Sequence, residues 1–376
     1  YMQNFDFAWV PDLRIVIAIA AGFGVAAYCI AIIRKYVRIV IDVMDNQAWV
    51  PENGNGDLGA WIGEEVQFSA ADGHPLCGVY MRGSRSNQAR RKERGAVIFA
   101  HEFASDRSIA TRYCRPLVEQ GFDVLALDFR GHGASAGQPR YQPRQWPSDR
   151  ETADMSGAIQ FVRNDLVRQN RPPRIALFGL SRGACSAILA APNHREVCAI
   201  LCDGAYSSDT ATEYFMKRFA TIFARLRFIA KCHPPVFWKL MRVLVFREFR
   251  RRSGCNFPSV RKAIKCMGRM PILFIHGEKD SYIPVAQSQG LYDLAHGPKA
   301  IWIVPDARHN QCVKIDPTGY FRRIVDFLDE HVSVEHFPVR VAPARVRRHD
   351  SPVSVPSSSL APTIASSQCE PTATAV

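Results

Sequence analysis

None of the eleven cysteines stands in a C-x-x-C arrangement, and the closest pair, Cys198 and Cys202, is separated by a full helical turn's worth of sequence. A zinc or dithiol redox site has no support in that spacing, and an odd count does not suit a closed disulfide framework. Cys29, Cys198 and Cys202 lie in apolar runs, where a free thiol behaves as a small buried hydrophobe of a reducing compartment. No internal repeat is visible, and collagen-like, coiled-coil and disulfide-scaffold classes are excluded. Neither a metal nor a cofactor is expected. What is present is ordinary globular material: 376 residues, 47% hydrophobic and 22% charged, enough for one large domain or two modest ones. The formal charge of +13 leaves nucleic acid, an anionic membrane or an acidic ligand open until the charges are located along the chain.

Charge is missing altogether from Ile15 to Ile33, a run of 19 residues. At about 1.5 Å per helical residue it nearly crosses a hydrocarbon core of about 30 Å, and it predicts one transmembrane helix. The stretch before it lacks the basic region of a secretory signal: Asp6 and Asp12 precede it, and only Arg14 adjoins it. With no small-residue cleavage site after the run, a signal anchor is the better reading. Arg34, Lys35 and Arg38 follow directly, so the positive-inside rule places the C-terminal side in the cytoplasm. The expected organisation is an anchor segment over 1–40, a turn-rich linker over 41–60, a globular domain over 61–332 and a tail over 333–376. The tail lacks large apolar residues and is rich in Pro, Ser, Ala and Thr from Val341 onward, a composition that predicts disorder.

Within the globular domain short apolar runs alternate with amphipathic stretches. A hairpin is predicted over 64–81, then strands at 96–100, 123–127, 174–178, 197–202, 272–275 and 300–304. Helical patterns fall at 109–120, 151–167, 184–191, 284–295 and 317–331. Continuous apolar strands alternating with helices predict an α/β domain, a mostly parallel sheet covered on both faces. In such sheets functional groups collect at the carboxyl ends of the strands.

Gly179-Leu180-Ser181-Arg182-Gly183 occupies one of those ends, between the run 174–178 and an apolar helix. A G-x-S-x-G on a strand-to-helix turn holds its serine in a strained conformation, and only small residues at Gly179 and Gly183 leave it room. A serine hydroxyl needs a histidine base and a carboxylate to orient that base. Asp280 follows the strand at 272–275 and His309 the strand at 300–304, in the chain order Ser, Asp, His. Either residue alone reads better as a turn or solvated loop residue; the order of all three favours a triad. Asp203, after the strand at 197–202, competes for the acid role and ranks behind Asp280. Asp306 is too close to His309 in sequence, and Cys185, four residues after Ser181, belongs to the core.

On these residues the chain from Trp61 to about Glu330 resembles the α/β-hydrolases, of the lid-bearing serine esterase, lipase and serine aminopeptidase-like kind. Asp128-Phe129-Arg130-Gly131-His132-Gly133-Ala134-Ser135 is similar to that group's D-x-R-G-x-G-x-S loop, and His276-Gly277 before Asp280 is also family-like. The resemblance implies an oxyanion hole made by the backbone N–H groups of Arg182 and, in the loop 100–105, of Phe103. The sequence departs from the family at Glu102, where His-Gly is usual, and a carboxylate there would bring negative charge toward the oxyanion.

The basic residues have an address. Met216 to Met270 holds fifteen Lys and Arg against one acid, Glu248, a net +14, so the rest of the chain sums to −1. This insertion, with its surroundings from about 208, is where the family places a lid, and it is rich in Phe. Aromatics on one side and basic residues on the other suit an anionic membrane interface; a solvated cationic lid whose aromatics pack on the body is the equal alternative. Nucleic-acid binding ranks third, because no recognised motif accompanies the basic run. The sequence therefore predicts a membrane-anchored serine hydrolase acting on a small or lipid-like ester. Its rivals are a catalytically silent relative that binds a membrane or partner through the lid, and a peptidase or thioesterase of the same fold.

Overall fold

The computed structural model describes residues 12–46, 63–84, 92–135, 137, 141–223 and 233–335. Apart from residues 333–335, the predicted tail over 333–376 lies outside them, as does most of the predicted linker. Helix α1 (Leu13–Asn46) carries the uncharged run and is long and apolar enough to cross a membrane. It runs past residue 40, the expected end of the anchor segment. The helix continues through Asn46, because Ile33, Val37, Val40 and Ile41 fall on one face and pack against the body, with Ile41 fully buried.

Eight strands form one sheet: β1 (Glu64–Ser69), β2 (Pro75–Met81), β4 (Ala96–Ala100), β5 (Asp123–Leu127), β6 (Ile175–Leu180), β7 (Val197–Asp203), β8 (Ile272–Gly277) and β9 (Lys299–Val304). Their order is β1-β2-β5-β4-β6-β7-β8-β9, antiparallel at the β1-β2 hairpin and at β2-β5, and parallel from β5 onward. The short β3 (Lys92–Glu93) pairs instead with β10 (Val334–Glu335). This is the α/β-hydrolase fold that the resemblance implies, built on the mostly parallel, doubly covered sheet expected from the strand pattern.

Alternate residues of each central strand serve two cores. Ile98, Leu125 and Leu177 face the layer that holds α3 (Asp149–Arg168), α4 (Arg182–Ala190) and α8 (Val285–Leu294). Phe99, Val124 and Phe178 face α2 (Ala110–Glu119) and α10 (Pro317–His331), which follows the short α9 (Cys312–Ile315). With both faces covered, the strands read as continuous apolar runs rather than alternating ones.

The insertion between β7 and β8 is helical, with α5 (Ser208–Phe223), α6 (Pro235–Ser253) and α7 (Val260–Cys266). Arg225, Arg227, Phe228 and Lys231 of the basic segment lie outside the described residues. Its aromatics turn inward: Phe215, Trp238 and Phe249 are buried on the body. Desolvating their rings there gains more than facing them to solvent, so the aromatic face is not the outward one.

Candidate active site

The turn between β6 and α4 is built around Ser181. Its φ of 48° lies in the left-handed region, which costs a non-glycine residue free energy and persists only where the surroundings enforce it. Here they do. Ser181 N–H donates to Asp203 O at 2.7 Å, and Cys185 N–H closes the first helical bond on Ser181 O at 3.1 Å. Both flanking glycines are required by space: a Cβ on Gly179 would lie 2.3 Å from Ala184 N, and one on Gly183 2.2 Å from Ala100 O. The turn therefore projects Oγ beyond the carboxyl edge of the sheet.

The loops after β8 and β9 bring the other two predicted residues to the same edge. His309 Nε2 is 2.9 Å from Ser181 Oγ, and His309 Nδ1 is 2.5 Å from Asp280 Oδ2. Asp280 Oδ1 accepts from the backbone of Tyr282 and Ile283 at 2.9 and 2.8 Å. Burial opposes ionisation of Asp280, yet the charge of His309 and hydrogen bonds from His276 and His309 outweigh it and hold the carboxyl well below the usual range. For His309 burial works downward, and Asp280, Glu102 and Asp203 more than offset it, so its pKa is raised. Asp203 stays apart from this chain. It is fully buried and takes Tyr320 Oη–H on Oδ2 at 2.9 Å, and burial pushes its carboxyl up to about 6. Asp306 is exposed and pairs with Lys279.

On the other side of Ser181 lies the loop His101–Ser105. His101 Nε2 accepts from Phe129 N–H at 3.1 Å and its Nδ1 faces Glu102 O at 2.6 Å, the neutral tautomer protonated on Nδ1. Burial and the nearby Arg182 hold its pKa down, to about 3. Phe103 borders the space beside Ser181, and Arg182 is the first residue of α4, where an N–H has no intrahelical acceptor. The Glu102 side chain is buried, and its Oε2 accepts from Asn310 Nδ2 at 2.7 Å.

Arg182 brings a second feature that the motif does not encode. Its side chain is fully buried, stacks over the Phe103 ring at 5.3 Å, and reaches Arg144 O at 3.0 Å, His132 Nε2 at 3.2 Å and Glu151 Oε1 at 3.4 Å. It ties the loop 101–105 to α3. The Asp128–Ser135 loop packs behind it: Asp128 takes the N–H groups of Arg107 and Ala134 at 2.6 and 2.8 Å, and Arg130 is held by Asp154 and Asp72.

Several residues around Ser181 left no trace in the sequence pattern. Gln145, Trp146, Tyr206, Tyr282 and Ile283 join Phe103 around a cavity of about 10 Å³, roughly one water's worth of space. Tyr206 Oη–H donates to Gln145 O and Tyr282 Oη–H to Gln145 Oε1, fixing the wall. Phe215 of α5 packs behind that wall, its ring 5.9 Å from Trp146 and 5.5 Å from Tyr282. His276 is the remaining support, its Nε2 3.2 Å from Asp280 Oδ2 and 2.8 Å from Ile283 O. The described residues hold no cluster of His, Cys, Asp and Glu suited to a metal ion.

Residues 91–236 match the family model described as Hydrolase_4, serine aminopeptidase, S33. The chain is 26% identical over 308 residues to the uncharacterized protein YfhR of Escherichia coli, which covers 81% of this chain and 91% of that one. It is 27% identical over 212 residues to the uncharacterized membrane protein YNL320W of Saccharomyces cerevisiae, covering 56% of this chain and 62% of that one. Among solved structures, the Pyrococcus furiosus esterase Pf2001 superposes with a TM-score of 0.52 at 24% identity, over 75% of this chain and 93% of that one. That likeness is one of fold.

Proposed function

We propose that this chain, which has the α/β-hydrolase fold, is a membrane-anchored serine hydrolase that cleaves carboxylic esters through an acyl-enzyme. The observation that carries the reading is the unbroken chain Ser181 Oγ, His309, Asp280 at 2.9 and 2.5 Å, beginning at a strained serine. Asp280 keeps Nδ1 protonated, so Nε2 presents a lone pair to Oγ–H. As Oγ bonds to the ester carbon, His309 takes the proton, and the N–H groups of Arg182 and Phe103 receive the oxyanion. Collapse breaks the C–O bond, and His309 returns the proton to the departing alkoxide. Water then releases the acyl group by the same route. Each oxyanion donor contributes about 3 to 4 kcal/mol to such a transition state.

The family description favours a second reading, cleavage of an amide next to a free amino terminus. The described residues lining the cavity speak for the ester instead: they are aromatic, aliphatic or amide-bearing, with no carboxylate to hold an ammonium. Support for the anchor comes from the uncharged run of α1 and from Arg34, Lys35 and Arg38 beyond it, which favour a cytoplasmic catalytic domain. A fluorophosphonate probe tests the chemistry. Labelling should be abolished in Ser181→Ala; absence of labelling in folded wild-type protein would leave the silent-relative reading in its place. Hydrolysis of aminoacyl anilides with no hydrolysis of acyl esters would replace the ester by the amide.

A further inference from the structure

Helix α6 shows two unlike faces. Trp238, Met241, Val245 and Phe249 are buried on the body, while Val236, Leu240 and Val243 are 69%, 48% and 56% exposed. Arg247 and Arg250, also exposed, continue the outer face. These five residues share one stripe at helical periodicity, apolar in the first half, where exposed Lys239 flanks it, and cationic in the second. Glu248, the one acid of the basic segment, is taken up by Arg251 and Arg252 at 2.7 to 3.0 Å.

The stripe lies at the foot of α1. Helices α1 and α6 pack against each other, and the docking face of α1 begins at Ile33, the last residue of the uncharged run. Arg252, at the carboxyl end of α6, sits 3.5 Å from Asp42, which is about 13 Å farther along α1 than Ile33. We infer that the amino-terminal half of α6, carrying the apolar part of the stripe, is the end turned toward Ile33. No spacer separates this contact from the uncharged run. A bilayer that holds the run also brings the outer face of α6 into the headgroup layer.

We propose that this outer face is a lipid-binding surface: Val236, Leu240 and Val243 enter the interfacial zone of the bilayer, and Arg247 and Arg250 meet anionic headgroups. The surface rests on reading α1 as a membrane span. It is aliphatic rather than aromatic, which the sequence pattern alone did not separate. Helix α6 also packs on α5, whose Phe215 contacts Trp146 and Tyr282 in the cavity wall at Ser181.

The test uses the full chain in phosphatidylcholine vesicles, with or without phosphatidylserine, containing brominated lipids as quenchers. Quenching of Leu240→Trp, measured against the unsubstituted chain, should be strong with bromines near the headgroup end and about twofold stronger when phosphatidylserine is present. Arg247→Glu with Arg250→Glu should remove that increment. Val25→Trp, within the uncharged run, should be quenched by bromines near the chain end in every vesicle. Quenching of Val25→Trp but not of Leu240→Trp overturns the surface and leaves the span standing. A blue-shifted, unquenched Leu240→Trp means that protein, such as a second copy, covers the stripe. Quenching of Leu240→Trp alone keeps the surface and removes the span; quenching of neither removes both.

Discussion

Asn310 Nδ2 donates to Glu102 Oε2 at 2.7 Å, which joins the loop bearing one proposed oxyanion donor to the residue after His309. The departure from the family pattern at Glu102 is thereby accommodated: the carboxylate is buried and hydrogen-bonded rather than loose beside Ser181. Its charge is still felt, because it helps to raise the pKa of His309, behind the larger effect of Asp280. Glu102→Gln keeps an acceptor for Asn310 and removes the charge. With less stabilisation of the imidazolium, the acid limb of kcat/KM on a short acyl ester should move to lower pH. A limb that stays put, in a folded variant, would show that Glu102 does not act on His309.

Asp280→Asn tests the orienting role. Asparagine can present its own N–H to Nδ1 and favour the wrong tautomer, so kcat should fall by about 10⁴. Stability supplies a second readout. The folded-state pKa of Asp280 is depressed below 3.8, so its contribution is present above that value and is lost as pH falls through the depressed one. The acid-induced decline of Tm should therefore be shallower in Asp280→Asn than in the parent. A kcat within tenfold of the parent would remove Asp280 from the triad.

The strand-end residues were legible because each follows a short apolar run with turn residues after it, and because Ser181, Asp280 and His309 fall on loops after β6, β8 and β9. The cavity wall was not. Gln145 meets Tyr206 and Tyr282 across 61 and 137 residues of sequence, and none of the three sits in a periodic segment. The continuation of α1 was legible in principle, since Ile33, Val37, Val40 and Ile41 keep helical spacing before the turn-rich segment. The direction of the lid aromatics was not, because helical spacing reads the same whether a face meets a protein core or a membrane.

Asp203 ranked second for the acid role, and its environment gives it a different signature. Burial raises its carboxyl to about 6, with the Tyr320 hydroxyl opposing the rise. A group raised in the folded state contributes stability below its unfolded pKa of about 4 and loses it as pH climbs through 6. Asp203→Asn keeps an oxygen acceptor for Tyr320 without the buried charge. It should gain about 2 to 3 kcal/mol relative to the parent at pH 8 and little at pH 4, by denaturant unfolding. A loss of stability at pH 8 would mean that the charge is needed where it stands.

Phe215 joins the helical insertion to the cavity wall: it is buried, stacks on Phe219 at 6.0 Å, and contacts Trp146 and Tyr282, both of which line the space beside Ser181. That space holds about one water, so an acyl chain of any length must displace a wall, and α5, which follows β7 and runs into the basic segment, packs behind that wall. Phe215→Ala should cost about 3 to 5 kcal/mol of stability through the cavity it leaves, and Phe215→Leu less. In both variants the ratio of octanoyl to acetyl ester hydrolysis should rise, because the freed volume adjoins Trp146 and Tyr282, which line that space. An unchanged ratio in folded Phe215→Leu would place the acyl pocket elsewhere than under α5.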